Sequence, residues 1–314
     1  MSRPPGASVG GQAVIEGVMM RAPDAWAVAV RRPDGVIEAK RNALPALSSR
    51  SRWARMPFVR GILVLGEALT LGFRALSWSA ERAGEEEEQL ARWQVVGTMV
   101  IAAALAVVIF IAAPAVGAGL LKKTLGFGGF WFVVIDGLLR IGLIVAYIWL
   151  IGRSPEISRV FQYHGAEHKT IHAYENGNPL TVAEIQPYSP RHPRCGTSFI
   201  VIVAMVSFVV FLFLAPAPFV WQILGRILLI PVIAGISYEV LKAAAAHRWL
   251  AWASRPGIWI QSITTKEPSD DMVDVAVTSL LAALDPDQVA EVKRRGPVAA
   301  AALGAEYDLD GEDG

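Results

Sequence analysis

Chemistry-bearing residues crowd into one short polar segment, YHGAEHKTIHAYENG (163–177). It holds His164, His168 and His172, three of the chain's five histidines, with Glu167 beside His168. His164, Glu167 and His168 spell H-x-x-E-H. On a helix, residues four apart stack on one face, so both imidazoles can reach one cation. Glu167 points about 100° from His168 on the same side, beside the metal's open position rather than on the metal. This is the inverted zincin arrangement, in which two histidines bind zinc and the glutamate is the general base.

A catalytic zinc needs a third protein ligand and one open position. Glu239, in SYEVLK, follows His168 by 71 residues at the inner end of the last apolar run. Cys195, in RHPRCGTS, opens the third apolar run, with His192 three residues before it. Arg191 and Arg194 would favour its thiolate. His172 continues the face of His164 and His168, as a ligand or as a group orienting one. The mix of imidazole with thiolate or carboxylate makes Zn2+ the expected ion among divalent metals. Five histidines are too few for a di-iron histidine-box site, which uses about eight.

The elements that must position these residues read as membrane. The 314 residues are 54% hydrophobic and 18% charged, with a mean hydropathy of +0.42, arranged in long uncharged runs. Four spans are expected: 95–121, kinked at Pro114, then 130–151, 197–214 and 219–241. The metal-site loop 152–196 lies between the second and third. Lys and Arg number thirteen over 1–92, five over 152–196 and seven over 242–314, against two over 122–129 and none over 215–218. That bias predicts a multi-pass cell-membrane protein with both termini and the site loop cytoplasmic. Trp249, Trp252 and Trp259 fit an interfacial belt on that side. Membrane lipids are the expected partners. A net charge of +1 gives no field to steer the protein to nucleic acid. The lone cysteine excludes an intramolecular disulfide, and no signal peptide is expected from the polar, arginine-rich start.

Around the spans, residues 1–57 read as a small β-rich cytoplasmic region. WAVAVRRPDGVIEAK (26–40) is a hairpin about a Pro-Asp-Gly turn, and GGQAVIEGVMMR (10–21) is a strand leading in, whose glycines and Glu16 could also line a pocket. Residues 58–81 carry Arg60, Glu67, Arg74 and Glu81 at seven-residue spacing. Such a stripe predicts an in-plane or re-entrant amphipathic helix, or one packing its charged edge on the protein. Region 242–284 is helical. Within it Val273, Val277, Leu280 and Leu284 form one face of an amphipathic helix capped at Ser269 or Asp270. Residues 285–314 are expected to be largely disordered. Within the spans, Asp136 should pair with Arg226 or Arg140, because intramembrane charges are costly alone.

GGQAVIEGVMMR, FQYHGAEHKTI, HPRCGTSF, the later Tyr238-Glu239 pair and PGIWIQSITTKEPSDD (256–271) resemble the YqhQ-like bacterial membrane family, long catalogued as a domain of unknown function. The resemblance runs from about residue 8 to 285. It implies a metal-dependent enzyme and points to His164, Glu167, His168, His192 and Cys195. Three functions are then in view. The first is a zinc-dependent hydrolase at the cytoplasmic membrane face, acting on a peptide or lipid-linked substrate. The second is a scaffold or transporter with a structural metal clamp, and the third a membrane thiol hydrolase using Cys195.

Overall fold

A four-stranded antiparallel meander opens the fold. Strand β1 (Gly10–Val14) pairs antiparallel with β2 (Gly17–Arg21), β2 with β3 (Ala25–Arg31), and β3 with β4 (Ile37–Ala43). The structure, a computed structural model, describes residues 9–44, 56, 59–84, 92–193, 195–214, 217–246 and 255–308. The hairpin expected over 26–40 is β3–β4. Gly35 takes φ 87° in its turn, and the Val36 amide donates to the Asp34 carboxylate at 3.1 Å. Residues 10–21, read as a lead-in strand, instead form a hairpin of their own. At its tip Glu16 adopts φ 49°, its carboxylate held in a fork by the Arg159 guanidinium.

Strand alternation divides the sheet residues between two cores. Val14, Trp26, Val28 and Val30 face helix α1 (Val59–Ala83), which covers them with Leu71 and Ala75. The charges of α1 turn partly onto the protein: Glu67 is buried against Arg21, and Arg60 pairs with Glu239. Leu69, Phe73 and Leu76 remain exposed along the same helix.

Helix α2 (Arg92–Val107) continues through a π-helical stretch, Val108–Ala112, into α3 (Ala113–Leu125). The missing amide of Pro114 and the clash of its ring with the carbonyl four residues back account for the widened turn. Helix α4 (Gly129–Ile151) returns, followed by α5 (Pro155–Glu175) and the short α6 (Val182–Ile185). Helix α7 (Thr197–Leu214) has 18 residues, or about 27 Å, slightly under the roughly 30 Å hydrocarbon core. Where a single span over 219–241 is expected, two helices occur, α8 (Phe219–Leu228) and α9 (Ile230–Ala246), bent by 51°. Pro231 at the start of α9 cannot donate to the carbonyl four residues back, so the helix breaks there. By length and composition, 100–125 and 129–151 can each cross a membrane, and the bent pair makes a third if counted as one span.

Asp136 of α4 accepts from Arg226 of α8 at 2.9 Å and from Arg140 at 3.2 Å. The Asp136 and Arg226 side chains are each only 2% exposed. The Arg226 guanidinium lies 5.1 Å from the centre of the Phe211 ring, adding a cation–π contact.

Helix α10 (Arg255–Thr264) packs on α7 and α4 and leads into α11 (Asp270–Ala283), preceded by Ser269 in extended conformation. The amphipathic reading of α11 is corrected: Ala276, Thr278, Ser279, Ala282 and Ala283 are buried along with Val273, Val277 and Leu280. The helix is enclosed by the alanine-rich sheet face on one side and α5 on the other. Ser279 donates to the Ala27 carbonyl at 3.2 Å, so even its polar side chain is satisfied inside.

The tail expected to be disordered is also corrected, as far as residue 308. It forms α12 (Pro286–Arg295), α13 (Ala300–Leu303) and β5 (Glu306–Asp308), which joins β4 in parallel as the last strand in the order β1-β2-β3-β4-β5. A reciprocal Asp285–Gln288 capping box starts α12, and Ala299 and Ala302 are small enough to bury in the core around α11. Residues 309–314, Trp249 and Trp252 lie outside the described residues, while Trp259 is 60% exposed.

Candidate metal centre

Pro155 at the first turn of α5 supplies a preset φ where no amide partner is needed. From Tyr163 onward the helix is buried between β1–β2 and α11. Gly165 makes this possible. A Cβ there would sit 2.0 Å from the Lys266 carbonyl oxygen and 3.4 Å from Pro190 Cβ. The segment leaving α10 therefore crosses α5 at backbone distance, and Pro190, in the segment before α7, packs beside it. Each delivers a carbonyl to a histidine.

His164 Nδ1 donates to the Thr264 carbonyl at 2.9 Å, and His168 Nδ1 to the Pro190 carbonyl at 2.6 Å. Both Nε2 lone pairs are thereby presented as ligands, the second-shell pattern usual for metal-binding histidines. His164 Nε2 lies 3.3 Å from Cys195 Sγ, and the ligating atoms of His164, His168 and Cys195 all lie within 4.8 Å of one another. Glu167 Oε2 approaches the same place, 3.9 Å from His164 Nε2 and 3.8 Å from His168 Nε2. Among the described residues, His168 Nε2 and Glu167 Oε2 are buried with no hydrogen-bond partner. Orphaned polar atoms are expensive inside a protein, and a divalent cation between them would satisfy the histidine nitrogen. Two imidazoles and a thiol form a donor set suited to zinc.

The electrostatics follow from burial. Desolvation pushes the Glu167 carboxyl up to about 8, opposed by His164 and by the Gly11 amide that donates to it. Desolvation drives His168 down to about 2, with neighbouring His164 acting in the same direction. His192 falls to about 4 from burial. The His168 imidazole is therefore neutral at pH 7, the form a metal requires.

The remaining sequence candidates sit elsewhere. The His192 ring lies 5.8 Å from that of His168 and 4.4 Å from that of His172, with its Nε2 3.5 Å from Glu175. His172 Nε2 donates to the Arg191 carbonyl at 2.9 Å, and its ring stacks on Tyr188. These two histidines form a second tier behind the three clustered donors. Glu239, the expected glutamate ligand, is not brought to the cluster: the Arg60 guanidinium of α1 grips it, Nε to Oε1 at 2.7 Å. Both lie among the helix ends, and a carboxylate beside a guanidinium gains a forked, charge-assisted bond.

Sequence reasoning did not find Gln261. Completely buried, it accepts from the His192 amide at 2.8 Å and donates to the His192 carbonyl at 3.0 Å, clipping the loop that carries Pro190 and Cys195. A lone glutamine in an apolar stretch was the available signal. Gly11 is one of the glycines of 10–21 read above as able to line a pocket. A Cβ on it would come within 3.0 Å of Glu167 Oε1, so the glycine lets β1 lie directly on that carboxylate.

Gly165→Ala tests the crossing. Glycine to alanine inside a helix normally stabilises by about 1 kcal/mol. Here the sign should reverse, to a loss of about 1–3 kcal/mol, because the new methyl overlaps a backbone oxygen. Thermal unfolding in detergent reads it, and an unchanged or raised midpoint would refute the close approach.

A chain with candidate membrane helices, a sheet-backed helix and a His–His–Cys cluster thus defines the type of protein. It belongs to the family described as protein of unknown function DUF1385, matched over residues 56–286. It is similar to YqhQ of Bacillus subtilis (strain 168), which carries the description uncharacterized protein. The two are 35% identical over 290 residues, covering 86% of this chain and 90% of that one. No solved structure matches the chain.

Proposed function

We propose that the protein is a zinc-dependent hydrolase working at the cytoplasmic face of the cell membrane, with four membrane-crossing segments and both termini inside. His164 Nε2, His168 Nε2 and Cys195 Sγ would hold the ion, leaving one position open. The observation that carries this reading is the pair of orphaned atoms, His168 Nε2 and Glu167 Oε2, buried beside His164 and Cys195. Zinc bound there would supply Lewis acidity, acidifying water and polarising a substrate carbonyl. Glu167 is the residue assigned to take a proton, because its free oxygen faces both Nε2 atoms. Thr264 and Pro190 hold the ligand rings in the required tautomer.

Elemental analysis of the purified protein tests the metal. About one zinc per chain is expected in the wild type and under a tenth of that in His168→Ala. Equal, negligible zinc in both would reject the reading.

One observation favours a second reading. The 3.3 Å approach of His164 Nε2 to Cys195 Sγ also suits an imidazole-activated thiol nucleophile. That enzyme would survive a chelator and be lost to iodoacetamide. The zinc hydrolase would be lost to the chelator and recover on adding zinc.

A further inference from the structure

The outer edge of β1 runs along the proposed base. In the β1–β2 hairpin the closing pair is Val14 with Gly17, so Gly10, Gln12 and Val14 turn their backbone groups to β2. Gly11 and Ala13 turn theirs outward. Two outward amides confirm the parity: Gly11 donates to the Glu167 carboxyl, and Ile15 donates to Ser79 Oγ at 3.2 Å. Between them lie the amide and carbonyl of Ala13 and the carbonyl of Gly11. β1 ends the sheet order, and no described strand pairs with this edge. Gly10 and Gly11 are exposed, and among the described residues nothing lies within 4 Å of where a Cβ of Gly10 would stand.

We infer that the substrate is a polypeptide segment bound in extended form, added as a further strand on the outer edge of β1. This deepens the hydrolase reading and rests on it. An edge strand recognises backbone, which a peptide has and a lipid-linked sugar or acyl ester lacks. The incoming strand pairs with the Ala13 amide and carbonyl and with the Gly11 carbonyl. Its next peptide group then falls beside Gly11, where Glu167 and the two Nε2 atoms converge. In the reaction the peptide C–N bond breaks and the water oxygen joins the acyl carbon. The proton taken by Glu167 passes to the leaving amine, so no further reactant is needed.

The test uses the full-length, zinc-loaded Glu167→Gln protein in detergent, so that a bound peptide is not consumed. A pool of random decapeptides serves as the probe, and hydrogen exchange is followed over residues 10–14. The pool is expected to slow exchange of the Ala13 amide several-fold, whereas the same pool with alternate amides N-methylated should not. Ala13→Pro removes the outward donor at an edge position that tolerates proline. It should weaken binding of the labelled pool at least tenfold, with zinc content and melting temperature unchanged. Absence of protection, or equal binding by Ala13→Pro, overturns the peptide assignment. Turnover of an acyl-ester dye by the otherwise wild-type zinc protein in that case leaves the hydrolase reading standing. Failure of that protein to bind zinc sinks the hydrolase reading itself.

Discussion

Glu167→Gln is expected to keep the zinc and lose hydrolysis by about 10²–10⁴-fold, the usual contribution of a positioned general base. The amide retains the shape of the carboxylate and an oxygen for the Gly11 amide, so packing against β1 is preserved. It cannot take a proton from water. Zinc content and hydrolysis are measured on the same preparation, and loss of metal from this change alone would show Glu167 to be a ligand instead. The same variant has a second signature, in the metal-free protein. Glu167 rises from 4.5 unfolded to about 8 folded, so its favourable contribution is complete below 4.5 and is lost as pH climbs through 8. The lowered His168 and His192 act oppositely: their contribution is present above 6.5 and disappears on acidification. Between pH 6.5 and 8 the decline therefore belongs to Glu167 among these three groups, and Glu167→Gln should flatten it.

Asp136→Ala should destabilise the protein by about 3–5 kcal/mol, the cost of stranding a buried partner charge. Arg226 is 2% exposed and Arg140 15% exposed, and both lose their shared acceptor. The guanidinium on Phe211 cannot replace it, since a cation–π contact neutralises nothing. Detergent unfolding should also show that Asp136→Leu combined with Arg226→Leu recovers part of the loss, because it removes the more buried of the two stranded cations and leaves only Arg140, 15% exposed, without its acceptor. A single-variant cost under about 1 kcal/mol would mean that water reaches the pair.

How much was legible depended on whether a feature is local. The His164–His168 face follows from helix pitch, and the β3–β4 hairpin from alternation about Pro-Asp-Gly. Two glutamates show the boundary. Glu167 adjoins a histidine in sequence, and its place beside the two Nε2 atoms is built into the helix. Glu239 lies at the correct end of a span to reach the histidines, and Arg60 of α1 takes it instead. Which of several charges at one end meet depends on how helices rotate against each other, and no short-range pattern encodes that. The C-terminal tail misled because alanine and glycine look like linker until a crowded core needs small residues, as at Ala299 and Ala302.

By itself the chain's order of residues determined the long apolar helices, the two-histidine face with its neighbouring carboxylate, and the need for Asp136 to find a cation. These are matters of period, composition and the cost of lone charge. Only the tertiary structure decided that Cys195 joins the histidines while Glu239 does not, that Gly165 admits a crossing segment, and that β1 lies on Glu167. Those outcomes turn on contacts between segments as much as 179 residues apart, selected by packing at ångström tolerance.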